Sequence, residues 1–426
     1  MRRRFQAETA CAVVVACLIG ATSASASTKM VCSSGCAFTS INAAIAAAAE
    51  GATITIGKGT FVENVVVNKP VTLEGSGKNS VIEPAVANPV CSPGSLCEGA
   101  ASNIVLVEAS NVKLTKLTLE GANPSLTGGV TVGGKSVDAR NGIIENYLAG
   151  IYNGLTVSEV SVADVYLRGI YASSGGTFNF NRDTVRNVQG EEASIAMFAF
   201  ESSGAMDNNT VTEANDAISS NWSKGTEFAN NKITKSGSGV HTDNNGGAGG
   251  SADKITGNQV SDCKANGSGI FVFVPYVSAT VADNKVKGCT FGLADYGSAV
   301  SGQGPTFAAN QVEGKGATTT EGLSYDAYIT TDQLGFGFGN ATATLSHNSL
   351  KGAGVGLFVT QEAGGEASVT AHENSIYKNT TGANGTTGTV VEAQSNWWGC
   401  SEGPPSHRCN SVQGTVAYMP WLASKP

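Results

Sequence analysis

Asn258-Gln-Val260, Asn284-Lys-Val286 and Asn310-Gln-Val312 are three copies of one short unit, set 26 residues apart. The unit extends outward in both directions, as Asp183-x-Val185, Asn209-x-Val211 and Asn231-x-Ile233 before it and Asn348-x-Leu350 and Asn374-x-Ile376 after it. Subtracting neighbours from Asp183 onward gives steps of 26, 22, 27, 26, 26, 38 and 26. A period of this length marks stacked repeats, so architecture is decided before any local element is assigned.

The repeats are not helical. Paired helices would need apolar residues at 3.6-residue spacing, whereas the units hold short runs such as Gly269-Ile-Phe-Val-Phe-Val274 and Ala341-Thr-Ala-Thr-Leu345. Gly, Asn, Ser and Asp interrupt these runs, and 54 Gly with 14% charged residues is a poor composition for solvated helices. About 26 residues accommodates one coil of three short strands and three turns, each strand pairing in parallel with the next coil ~4.8 Å away. The recurring Asn is expected to take a left-handed turn conformation, with its amide bonding up and down a ladder. Cys263 and Cys289 stand one coil apart, which brings their Cα atoms within disulfide range. The 38-residue step is one coil plus an insertion of about 12 residues within Ala317–Phe338, and such insertions emerge as loops on one face, often the binding face.

Residues 1–26 read as a secretory signal: Met1-Arg-Arg-Arg4 is basic, Cys11–Gly20 apolar, and Ala24-Ser25-Ala26 a small-x-small cleavage site. The apolar run is too short to span a bilayer. Val14-Val15-Ala16-Cys17 loosely resembles a lipoprotein processing site, although the apolar run continues past Cys17. Eight cysteines remain, grouped as Cys32/Cys36, Cys91/Cys97, Cys263/Cys289 and Cys400/Cys409, which in an exported chain implies four disulfides. Residues 27–426 are expected to form one elongated domain, with a cap at about 32–51, coils at about 52–395 and a closing cap at about 396–426. The first cap holds the one good helical stretch, Ser40–Gly51, with apolar residues at 41, 44, 45 and 48. The last holds Trp397-Trp398 and Tyr418-Met-Pro-Trp421.

The stretch Ile41-Asn-Ala-Ala-Ile, Gly51-Ala-Thr-Ile-Thr-Ile, Gly59-Thr-Phe-Val-Glu63, Val71-Thr-Leu-Glu-Gly75-Ser-Gly77 and Val81-Ile82 resembles the opening of right-handed parallel β-helix proteins of the pectin-lyase-like superfamily. The closing Asn396-Trp-Trp-Gly399, Gly403-Pro404 and Tyr418-x-Pro420-Trp421 resembles the end of many secreted bacterial members. The resemblance implies an all-β, right-handed parallel β-helix. It does not extend to a reaction. The paired aspartates and Gly-His-Gly of polygalacturonate hydrolases are missing. So are the Gln-Asp and Asp-Phe-Ile-Phe-Gly signatures of pectin methylesterases and the Asp-Pro-His of alginate epimerases.

Strand alternation defines a candidate site. Placing Ile170, Ile195, Ile218, Val240, Ile270, Leu293 and Leu357 inward turns Tyr171, Ser173, Phe198, Ser219, Asn221, His241, Asp243, Phe271, Phe273, Tyr296 and Phe358 outward. Tyr171, Phe198, Asn221, Phe271, Phe273 and Tyr296 are the expected substrate-binding residues. Aromatic faces stack on the apolar C–H faces of sugars; the competing reading is a stack covered by a loop. His241, two residues from Asp243, is a candidate general base oriented by that carboxylate, against the plainer reading of a surface His near a turn. Asp243, Asn245 and Asp253 are candidate oxygen ligands for Ca²⁺, the one cofactor the sequence suggests. Arg140 beside Asp138, and Arg168, Arg182 and Arg186, are candidates for binding uronate carboxylates, against ordinary surface pairing.

A net charge of −8 with no basic stripe argues against nucleic acid, and no segment reads as a membrane span. The expected function is that of a monomeric secreted, periplasmic or cell-surface protein that binds, and in one version cleaves, an extracellular polysaccharide as a lyase or hydrolase. The alternative is a non-enzymatic adhesion protein with the solenoid as scaffold. A resemblance to periplasmic β-helix proteins that assist copper-enzyme maturation is weakened by five Met and four scattered His.

Overall fold

The computed structural model describes residues 28–426 except 174, 245–249, 299, 301, 320, 321, 338, 363 and 405. The signal segment and Asn245 lie outside the described residues. Among those described, three parallel sheets of 15, 12 and 13 strands wind around one apolar core. One coil runs from a sheet 1 strand such as Thr177–Asn181, through a tight turn, to Thr184–Val188 in sheet 2, then to Ile195–Phe200 in sheet 3. The stack includes early coils, such as those through Leu73 and Leu114, that carry no Asn unit.

The Asn ladder runs along the turn between sheets 1 and 2. The backbone N–H of Asn258 donates to Asn284 Oδ1 at 2.8 Å, and that of Asn284 to Asn310 Oδ1 at 3.0 Å. The Asn284 amide donates to Ile255 O and to Asn310 Oδ1, so each side chain satisfies buried groups on both neighbouring coils. The expected left-handed residue is displaced by one. Positive φ falls on the preceding residue, as at Arg182 (59°), Asn208 (57°), Asp283 (58°), Ala309 (54°) and Glu373 (58°). That residue makes the bend and leaves the ladder Asn free to face inward.

The helix Ile41–Ala47 lies at the N-terminal end, with Ile41, Ala44 and Ile45 buried. Glu63 holds its start, Oε1 accepting from Ile41 N at 2.8 Å and Oε2 from Asn42 N at 3.1 Å. Lys69 Nζ donates to the carbonyls of Ile45, Ala46 and Ala48 at its end. Glu63 of the Gly-x-Phe-x-Glu stretch is thus a helix-capping residue.

All four expected disulfides are formed: Cys32–Cys36, Cys91–Cys97, Cys263–Cys289 and Cys400–Cys409. Cys263–Cys289 spans one coil with Cα atoms 4.8 Å apart. The Cys32–Cys36 bridge, with Cα atoms 5.7 Å apart, staples a bend ahead of the helix. Cys32 N donates to Phe38 O at 3.1 Å across the mouth of that bend. Half-buried Cys36 is therefore a staple of the N-terminal cap. The cap itself begins earlier than residue 32, because Lys29–Val31 already pairs in parallel with the first coil at Ile54–Ile56. No described helix is long and apolar enough to cross a membrane.

Candidate functional site

The outer face of sheet 3 carries two side-chain rows. Pairing aligns Tyr171, Phe198, Ser219, His241, Phe271, Ala294, Tyr328 and Phe358 in one. It aligns Phe200, Asn221, Asp243, Phe273, Tyr296 and Thr330 in the other. The inward row passes through Met197, not Ile195, which pairs instead with Arg168 and Asp216. The strand there begins earlier than the alignment assumed.

Only part of this face is open. Tyr171 and Phe198 stack at 4.7 Å but are buried with Leu96, Ile144 and Ile195. The loop containing Cys91–Cys97 covers them, and Arg140 ties it down through the carbonyls of Pro89, Gly94 and Ser95. Tyr296 is buried against Phe271 and Tyr328. Phe271 is occupied by the His241 ring, stacked at 4.1 Å. Tyr171, Phe198 and Tyr296 are therefore packing residues in this structure, the first two under the Cys91–Cys97 loop and Tyr296 against neighbouring rings of its own sheet.

Asn221, His241, Asp243 and Phe273 do meet, in a cavity of about 500 Å³. Its remaining walls come from outside the rows. Trp222 follows the strand end in a left-handed conformation (φ 53°), is 44% exposed, and packs on Phe200 at 5.8 Å. Opposite, the insertion supplies Gln333, Leu334 and Phe336. The insertion divides in two around the strand Tyr325–Thr330, so one half completes sheet 3 and the other, up to residue 340, rises beside it. Gln333 N donates to Gly337 O and Phe336 N to Gln333 O, both at 3.0 Å, closing the loop tip and presenting Phe336. Its ring is 85% exposed yet meets Phe273 edge-on at 6.0 Å. Trp222 and Phe336 escaped the alternation pattern because neither lies in a strand. The Gly-Phe-Gly of the insertion was the available signal.

The carboxylate beside His241 is Asp216, one coil back, and not Asp243. Asp216 Oδ2 lies 3.3 Å from Nδ1 and Ser219 Oγ 3.2 Å. Ser219 gives its proton to Asn221 Oδ1 at 2.6 Å, so Nδ1 carries the hydrogen and Nε2 is left as the acceptor. Nε2 is buried without a hydrogen-bond partner. The arrangement can hold a proton on the ring with Asp216 compensating the charge.

Of the expected Ca²⁺ ligands, Asn245 lies outside the described residues and Asp253 is already engaged. Asp253 points into the coil, accepting from Ser223 Oγ, Thr226 N and Thr242 Oγ1 at 2.6–2.7 Å, and burial raises its pKa. Among the described residues the one metal-like grouping is Cys400, Glu402 and Cys409, whose cysteines are joined in a disulfide. Nor do the arginines reach the cavity. Arg140 is buried under the Cys91–Cys97 loop rather than paired with Asp138, and Arg168 lies over Phe198 at 4.8 Å. Arg182 pairs with Glu159, and Arg186 with Asp164 and Glu120. Burial, then hydrogen bonding to Asp164, raises Glu120 to about 7. Larger depressions on sheet 2 (about 580 Å³) and beside the C-terminal cap (about 640 Å³) also exist. The former is a solvated charged face in which Lys287 and Lys351 both pair with Glu313.

A family model described as "right handed beta helix region" matches residues 141–312. The A-module of the mannuronan C-5 epimerase AlgE6 of Azotobacter vinelandii is 17% identical with a TM-score of 0.51, over 89% of this chain and 94% of the module. The family 28 exopolygalacturonase of Yersinia enterocolitica is 12% identical with a TM-score of 0.53, over 82% of this chain and 74% of the enzyme. No curated protein sequence matches. The chain has a right-handed parallel β-helix fold.

Proposed function

We propose that the cavity between Trp222 and Phe336 binds a unit of an extracellular polysaccharide. The observation that carries the reading is an aromatic cleft in which Trp222, Phe273 and Phe336 bound a floor of Asn221, His241 and Asp243. Exposed rings suit the C–H faces of a sugar, while the few polar groups match its hydroxyls. An epimerase acting on mannuronan and an exopolygalacturonase of the same fold support a carbohydrate role. The signal-like Met1–Ala26 and four disulfides support export.

The test is a plant and microbial glycan array with the purified protein, followed by assays for reducing ends and unsaturated products with and without Ca²⁺. The expected result is binding that Trp222→Ala and Phe336→Ala each weaken about tenfold, the effect of losing one aromatic contact. No binding across the array removes the proposal. Any turnover is assigned to the His241–Asp216 pair, so His241→Ala and Asp216→Asn should abolish it with binding retained; unchanged turnover in both excludes the pair.

A further inference from the structure

We infer that the sugar taken by this cleft is uncharged, and that the site discriminates against uronate polymers; the inference rests on the saccharide reading above. A uronate carboxylate is best held by an arginine fork or a lysine. The described cleft lining contains neither. Four of the arginines are engaged elsewhere, as described, and Arg408 lies at the C-terminal cap. Lys224, two residues beyond Trp222, is turned away along the solenoid, its Nζ 3.7 Å from where a Cβ on Gly175 would stand. Residues 245–249, which follow Asp243 and Asn244, are Asn-Gly-Gly-Ala-Gly and bring no cation.

The groups that are present have the wrong sign for a uronate. Asp243 lies on the floor, in register with Asn221 and Phe273. His241 is the one titratable base, and Asp216 at 3.3 Å compensates any proton it takes up. A substrate carboxylate would leave water for a site of like charge with no hydrogen-bonding cation, which opposes binding. A neutral pyranose or furanose carries no such penalty. Its ring faces meet Trp222, Phe273 and Phe336, and its hydroxyls can donate to Asp243 and Asn221.

The experiment compares matched polymers that differ in the carboxylate: galactan with polygalacturonate, and mannan with mannuronan, alongside neutral glucans, fructans and xylan. Binding is measured at low and high ionic strength for the full mature chain and for the Trp222→Ala/Phe336→Ala double variant. The expected result is a neutral polymer bound at least about tenfold more tightly than any uronate, with little salt dependence. The double variant should lose that binding, and Asp243→Asn should narrow the gap to the matched uronate. Preferential binding of a uronate overturns the inference and leaves the saccharide reading standing. Binding that the double variant retains places the sugar elsewhere and overturns both. The same holds if nothing on the panel binds.

Discussion

Asp183 is where the ladder changes chemistry. It occupies the first Asn position, and its Oδ1 accepts from Val160 N at 2.9 Å, as each Asn Oδ1 does from the coil before. By register, its second oxygen stands where an Asn amide would donate to Val157 O. An ionised carboxylate cannot make that bond, and Oδ2 is buried without a partner. Burial accordingly raises its pKa to about 7. The unfolded value is near 3.9, so folding takes up a proton between roughly pH 4 and 7. The penalty is absent below that window, grows through it and is constant above it, reaching roughly 4 kcal/mol at most. Asp183→Asn restores the donor and removes the buried charge. Its melting temperature should exceed that of the wild type at pH 8, with the difference closing toward pH 4. A pH-independent difference would show that Asp183 stays ionised in the fold.

The N-terminal helix depends on one turn of the neighbouring coil. Glu63 and Lys69 grip opposite ends of a seven-residue helix that is too short to persist alone. Glu63→Ala leaves the N–H groups of Ile41 and Asn42 without their carboxylate and should cost about 1–3 kcal/mol. Lys69→Met should also destabilise the helix, because its part-buried carbonyls at Ile45 and Ala48 lose their donor. Equal melting temperatures for Glu63→Ala and wild type would deny the capping role. Such cross-coil grips also explain which elements could be read from the chain alone. The Asn ladder was visible because one residue type performs the same two-sided bonding in every coil. The bend itself was misassigned by one residue because that position accepts Arg, Asp, Ala, His or Glu and so leaves no compositional trace. Outward and inward rows on sheet 3 followed from alternation, apart from Met197. Whether an outward ring meets solvent depends on non-repeating loops. Hence the cover over Tyr171 and Phe198, and the contribution of Phe336, could not be read from strand periodicity.

A single apolar core extends from Val31 to Trp398, with no interruption by a linker. Each coil contacts chiefly its two neighbours, so stability is approximately a sum of coil and interface contributions, and an end must be closed to prevent fraying. Trp398 closes the C-terminal end. It is fully buried, and its ring lies 3.0 Å from where a Cβ on Gly382 would stand. Its indole nitrogen has no hydrogen-bond partner, so its contribution is packing. Trp398→Ala should cost about 3–5 kcal/mol and Trp398→Phe considerably less, since no hydrogen bond is lost. The position of that loss is the informative quantity. In a nearest-neighbour solenoid, hydrogen exchange in Trp398→Ala should rise in the last coils, from about residue 367 onward. The coils that carry Asn221, His241 and Phe273 should remain protected, and saccharide binding should be unchanged. If exchange instead rises equally at Asn231 and Asn284, the core unfolds as one unit. The cleft would then depend on the cap across the whole length of the solenoid.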